Sequence, residues 1–251
     1  MRVAQVWRYP VKSMQGERVD SLAVDSDRLP GDREWGVRDS VTGDVLTARA
    51  APRLLQASAA IDPANADAVV VTLPDGRVLH EDDPNTDLAL SAFVGQPVHL
   101  ARAKVEESAE FETMSMYSSD APHLVRWRSL AGSFNDGAPI HVLSTASLRG
   151  AAALHPTGEW DARRFRPNVL LDVDGDDFPE DRWQSLRIGD AVLEIYKQAT
   201  RCTITARAQP GLPEDVGVPR ALARNRKAKL GVYARVTVAG TITAGAVAEP
   251  T

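Results

Sequence analysis

The first third of the chain is a succession of short β-branched runs, each closed within a few residues by Gly, Pro, Asp or Asn. VAQVWRYPV, VDSLAV, WGVRDS, DVLTA, AVVVTLP and RVLHE are too short for ordinary helices, and their Val and Thr suit a pleated, half-buried surface. This spacing restricts the fold to many short strands joined by tight turns. TGD at 42–44 and PDG at 74–76 read as hairpin turns, where Gly supplies positive φ and Asp or Pro starts the reversal. Pro52-Arg53-Leu54-Leu55 reads as a helical or extended connector. DPNTDLALSAFVG at 83–95 reads as a short helix, capped by Asp or Asn and stopped at Gly95, and QPVHLARA as the strand after it.

The segment 104–123, KVEESAEFETMSMYSSDAPH, is polar and weakly patterned and reads as a connector bordering a site. Beyond it APIHVLST reads as a strand and ASLRGAAALHP as a helix ended at His155-Pro156. FRPNVLLDV, DRWQSLRIGD, AVLEIYKQ, CTITARA, GVYARVTVAG and TITAGAVA read as further strands, and GLPEDVGVPR at 211–220 as a loop. Two or three helices among so many strands give an α+β, β-rich chain on barrel-like sheets. The expected division is an N-terminal β-barrel region at 1–105 and a second domain at 106–251.

Composition narrows the function classes. The chain of 251 residues is 43% hydrophobic and 25% charged, which is globular usage. No apolar run approaches the ~18 residues of a membrane span, and MRVAQVWRYPVKS lacks a secretory h-region, so no membrane association and cytoplasmic residence are expected. A net charge of -5 argues against nucleic acid as partner. The basic stretch from Arg220 to Lys229 reads as a solvated helix or loop. One cysteine permits no intramolecular disulfide, no four-cysteine iron–sulfur cluster and no cysteine-rich zinc site, and the five histidines show no paired metal-ligand spacing.

Three groups of residues carry chemistry. Cys202 alone reads either as a small buried hydrophobe or as a reactive thiolate. Its setting, with Arg201 adjacent, Lys197 and Arg207 five positions to either side, and Thr200 and Thr203 as hydroxyl donors, favours a thiolate, the form that ligates soft metals. Arg164-Phe165-Arg166-Pro167-Asn168 at the entrance of VLLDV reads either as a surface turn or as an anion and heterocycle site, because guanidinium binds phosphate bidentately and Asn both donates and accepts. Tyr9-Pro10-Val11-Lys12-Ser13 with Gly31-Asp32-Arg33 reads either as ordinary turns or as an anion-binding set.

Taken together, YPVKSMQG, GDREWGV, TAR at 47–49 with PRL at 52–54, RFRPN, WQSLRIGD and TRCTIT resemble the MOSC proteins, the family named for the C-terminal domain of molybdenum cofactor sulfurase. The nearest type is the amidoxime-reducing component and its bacterial relatives, with an N-terminal β-barrel region ahead of a MOSC β-barrel core. The resemblance runs nearly end to end. It implies a molybdenum–molybdopterin cofactor with Cys202 as catalytic group and sulfur ligand to the metal. It also implies cofactor contacts from Lys12, Ser13, Arg33, Arg166, Asn168, Thr200, Arg201 and Tyr233. The segment Asp136-Gly137-Ala138-Pro139 falls where the family brings backbone and small polar groups to the cofactor; Gly137 and Ala138, having no hydroxyls, offer main-chain contacts only. Thr200 stands where some relatives carry Ser, which keeps the hydroxyl.

The resemblance further implies an oxidoreductase that reduces N-hydroxylated compounds with electrons from an external ferredoxin- or flavin-type donor. No iron–sulfur cluster or pyridoxal phosphate domain is expected in this chain. The alternative is a handling protein that carries sulfur as a Cys202 persulfide, or carries the cofactor itself. A cofactor-free binding module is the third reading.

Overall fold

The computed structural model describes residues 1–25, 28–106, 108–114, 124–136 and 138–251. Its first half runs β1 (Arg2–Arg8), β2 (Glu17–Val19), β3 (Ser21–Val24), β4 (Trp35–Asp39), β5 (Ser58–Asp62), β6 (Asn65–Thr72), β7 (Val78–His80), α1 (Thr86–Val94) and β8 (Val98–Arg102). The second half runs β9 (Glu110–Met114), β10 (Leu124–Arg128), β11 (Ile140–Ser144), α2 (Thr145–Leu154), β12 (Val169–Asp172), β13 (Ser185–Ile188), β14 (Ala191–Thr200), α3 (Gly217–Arg226), β15 (Lys229–Val238), β16 (Gly240–Thr243) and β17 (Ala248–Pro250). The result is the β-rich α+β fold that the run of short strands implies.

Spatially the chain divides into two compact units. One gathers Met1–Arg8, Arg18–Pro30 and Ala138–Thr251; the other gathers Tyr9–Glu17 and Gly31–Gly137.

The first unit is built on an eight-stranded sheet in the order β17-β13-β14-β15-β11-β12-β1-β2. β1–β12, β11–β15, β13–β14, β13–β17 and β14–β15 pair antiparallel, while β11 and β12 pair in parallel, connected by α2 as a strand–helix–strand crossover. β11 reads IHVLS and is buried along its whole length, because apolar layers cover both faces of the sheet there. Val6, Val142, Val169, Leu171, Leu193 and Ala234 pack one face; Leu143, Leu170 and Leu230 pack the other against Ala151 of α2 and Val218 and Leu222 of α3. Fully burying one such leucine contributes roughly 1.5–3 kcal/mol. Ser144 caps α2 by accepting from Ser147 N at 3.0 Å, and its own Oγ donates to buried Glu180 at 2.7 Å.

The second unit packs the β4–β8 pair, the β5-β6-β7 meander and α1 around Val11, Met14, Trp35, Val37, Leu54, Val69, Val71 and Leu90. The turn at 74–76 joins β6 to β7, with Gly76 at φ 87, and Gly95 at φ 92 ends α1. Gly36 lies where a side chain would strike the Phe134 ring, 3.0 Å from its Cδ2.

Several segments differ from their sequence-based expectation. CTITARA is not a strand: Thr203–Ala206 form a 3-10 helix, because Thr205 turns back to hold the Cys202 carbonyl through its N (3.3 Å) and its Oγ1 (2.9 Å). DVLTA pairs only at Val45, as an isolated bridge to Arg38. Of the connector at 104–123, Glu110–Met114 form a strand paired with β10, while 107 and 115–123 lie outside the described residues. α3 starts inside the expected 211–220 loop, and β5, which sequence patterning does not single out, pairs with β6.

Candidate functional site

In the first unit, Cys202 follows the end of β14 as the residue that caps the 3-10 helix, with its side chain partly exposed. Its backbone is extended, at φ -107 and ψ -177. Both flanks are fastened. Upstream, Arg201 N donates to Ala228 O at 2.7 Å, and its guanidinium donates to Phe165 O at 2.6 Å and to His141 Nε2 at 3.3 Å. Since guanidinium is always a donor, the imidazole nitrogen accepts in this contact. Ala228 presents its carbonyl from a left-handed conformation at φ 58, where α3 ends.

His141 is buried and meets three of the expected site residues of this unit, Arg201, Asn168 and Tyr233. Its ring meets Tyr233 edge-on at 5.6 Å, and its backbone N donates to Asn168 Oδ1 at 3.1 Å. The Asn168 amide donates in turn to Trp7 O at 3.3 Å, so Asn168 ties β11 to β1 at the entrance of β12. Gly231 opposite makes room: a Cβ there would stand 2.5 Å from His141 Nε2. Tyr233 carries Lys197 Nζ over its ring at 5.4 Å, and Lys197 also lies 5.3 Å from the Tyr196 ring. Burial pushes the Tyr196 phenol up to about 12. Thr200 ends β14 in an exposed position, and Ala138 is buried ahead of β11.

The two arginines of RFRPN do different work. Arg164 is fully buried and points into the backbone of the loop after Cys202, whereas Arg166 is partly exposed and held at φ 55. Phe165 between them stacks on Trp160 at 5.9 Å.

The second unit holds Lys12, Ser13 and Arg33 in a separate cluster. Lys12 Nζ donates to Phe134 O at 2.7 Å and pairs with Asp136, which Arg49 also approaches at 3.4 Å. Arg33 pairs with Asp32 and stacks 4.8 Å over Tyr9. Burial lowers the Lys12 pKa despite Asp136. Burial would also raise the Asp136 carboxyl, but the charges of Lys12 and Arg49 hold it down to about 2. Ser13 Oγ accepts from Ala48 N at 2.9 Å. Among the described residues, Lys12, Arg33 and Arg49 meet Asp32 and Asp136 here. Beside them in sequence, the Thr47 hydroxyl is buried with no hydrogen-bond partner among the described residues. Such a cluster suits an anionic group.

Gly137 lies outside the described residues. Among the described residues, five that are not glycine have positive φ, and three of them are Ser13, Arg33 and Arg166. Left-handed backbone costs about 1–2 kcal/mol per residue, a strain that concentrates at functional sites. Sequence reasoning placed Asp136 in the segment 136–139 expected at the cofactor without foreseeing its pairing with Lys12, and it missed Thr47 and Arg49 as members of a site, although TAR at 47–49 is part of the family resemblance. It also missed His141, which carries no motif.

Comparison with known proteins identifies the family. Residues 1–121 match the family model of the MOSC N-terminal beta barrel domain, and residues 130–249 match that of the MOSC domain. The chain belongs to the MOSC-domain proteins that carry an N-terminal β-barrel region. It is 30% identical over 226 residues to mitochondrial amidoxime-reducing component 1 of Homo sapiens, covering 81% of this chain and 65% of that protein. It is 25% identical over 226 residues to molybdenum cofactor sulfurase of Oryza sativa subsp. japonica, covering 77% of this chain and 27% of that protein. The chain thus spans about 65% of the amidoxime-reducing relative's length. Among solved structures, the YUAD protein from Bacillus subtilis shares the fold, with a TM-score of 0.51 at 11% identity over 98% of this chain and 93% of that one. No helix among the described residues is long and apolar enough to cross a membrane.

Proposed function

We propose that this chain binds molybdenum–molybdopterin and reduces N-hydroxylated compounds, with Cys202 as the sulfur ligand to the metal. One observation carries the reading: the only thiol of a MOSC chain stands partly exposed, and the guanidinium of the preceding residue, Arg201, is held on the Phe165 carbonyl and His141. A soft thiolate suits molybdenum, and fixed cations suit the anionic pterin. Arg166, Asn168, Thr200, Arg201 and Tyr233, with Gly137 and Ala138 through backbone, are one proposed set of contacts. Lys12, Ser13 and Arg33 are the other, where an ammonium, a hydroxyl and a guanidinium suit an anionic group.

When bound, the cofactor supplies the two-electron redox chemistry. The chain's own residues supply orientation and countercharge. Removing the hydroxyl from an N-hydroxylated base takes two electrons and two protons and releases water. The single cysteine builds no [2Fe–2S] centre to deliver those electrons, so an external electron-transfer protein completes the reading, together with cytoplasmic residence.

The test is protein purified from a host that makes molybdopterin. Reduced viologen should drive turnover of an amidoxime, and NAD(P)H alone should not. Full molybdenum loading with no viologen-driven turnover would overturn the reductase reading. The relationship to molybdenum cofactor sulfurase supports a second reading, a Cys202 persulfide carrier. A mass gain of one sulfur atom on Cys202 without bound molybdenum would favour it.

A further inference from the structure

Arg164 is the first arginine of RFRPN, and its role is not charge neutralisation. Its side chain is fully buried, and no carboxylate lies within ion-pair distance of it among the described residues. Its guanidinium instead donates to four backbone carbonyls: Glu159 O at 2.8 Å, Pro213 O at 2.8 Å, and Thr205 O and Arg207 O, both at 3.4 Å. Three of these carbonyls belong to the loop that follows Cys202. Burial depresses the Arg164 pKa, with Asp215, Glu159 and Asp161 opposing. A charged group held at that cost, with its donors spent on main chain, fixes a backbone path that apolar packing would leave loose.

The path leads to the cysteine. Arg164 holds the carbonyl of Thr205, and Thr205 holds the carbonyl of Cys202 through its N and its Oγ1. The next residue of the motif acts on the other flank, because Phe165 O accepts from the Arg201 guanidinium at 2.6 Å. Adjacent residues of RFRPN therefore brace both sides of Cys202, from positions about forty residues earlier in the chain.

We infer that Arg164 is a positioning residue: it holds the loop after Cys202 so that the thiol is presented in one conformation to the cofactor. The purpose of that presentation rests on the proposed function; the positioning itself does not. Lysine cannot replace the arginine, since a single ammonium cannot reach four carbonyls in a fixed fork.

Cys202 is the only cysteine, so its alkylation by iodoacetamide, followed by mass spectrometry on the full-length protein without cofactor, reports this loop alone. Arg164→Lys should raise the alkylation rate at least tenfold in buffer. That rate should stay flat through low urea, because local loosening of the loop rather than global unfolding frees the already half-exposed thiol. Thr205→Val removes only the hydroxyl that holds the Cys202 carbonyl; it should raise the rate severalfold in a fully folded protein. Arg182→Lys is the control: its guanidinium pairs with Asp177 at 2.9 Å, away from the loop after Cys202, and the rate should not change. Wild-type rates in Thr205→Val and in a folded Arg164→Lys would overturn the inference, as would a rise equal to that of Arg182→Lys. If Arg164→Lys does not fold, Thr205→Val decides alone. Molybdenum content in wild type tests the proposed function separately, because the alkylation assay uses no metal.

Discussion

Replacing Gly231 with alanine perturbs the site and the sheet through one added methyl group. Gly231 lies in β15 at φ 75, a conformation that costs an L-residue about 1–2 kcal/mol. The new Cβ would also stand 2.5 Å from His141 Nε2 and 2.8 Å from Val142 O, closer than real contacts allow. The imidazole could rotate away, but the Val142 carbonyl belongs to the β11–β15 ladder and moves only with the strand. Overpacking of that kind adds about 1–3 kcal/mol, so the expected loss is about 3 kcal/mol, or roughly 10 °C in Tm for a chain of this size. Gly245→Ala is the matched control in the same unit: φ is 84 and nothing lies within 4 Å of the new Cβ, so the backbone term acts alone at about 1 kcal/mol. Thermal unfolding followed by circular dichroism compares the two. Equal losses would refute the steric argument and, with it, the claim that Gly231 exists to seat His141.

Two further predictions concern pH. Asp136 has a folded-state pKa of about 2 against 3.8 ordinarily, so its contribution to stability is complete above pH ~4 and is lost as pH falls toward 2; Asp136→Asn should flatten urea midpoints between pH 4 and 2, and an unchanged slope would count against the cation cluster. Glu180 behaves oppositely. Burial raises its pKa, so wild-type stability should decline as pH rises above ~4.5, and Glu180→Gln, which stays neutral, should gain Tm over wild type from pH 5 to 8 if the group is as buried as it stands.

What the sequence conveys about this protein is local. β14 and β15 are legible because β-branched and apolar residues fill runs that Gly and Asp bound, and α2 because Ser144 precedes it and His155-Pro156 follows. CTITARA misleads for the same reason: its threonines favour a strand, but Thr205 and the distant Arg164 bend it into a turn. Partners far apart in sequence are invisible to periodicity. Lys12 and Asp136 are separated by 124 positions, and His141 and Arg201 by 60, so neither pairing stands out. The left-handed backbone at Ser13, Arg33 and Arg166 leaves no trace either, since glycine is the residue by which such a conformation is ordinarily foreseen. The residues of the site were named through motif resemblance, and physics then separates their roles, as it does for Arg164 and Arg166.

The central claim is that Cys202 binds molybdenum. The direct measurement is molybdenum and pterin per chain, with viologen-driven amidoxime reduction, for wild type and Cys202→Ser made in a host that synthesises molybdopterin. The account predicts near-stoichiometric metal and pterin in wild type, and in Cys202→Ser a largely retained pterin with turnover abolished. A serine variant with wild-type turnover, or a wild type that takes up no molybdenum, would contradict it.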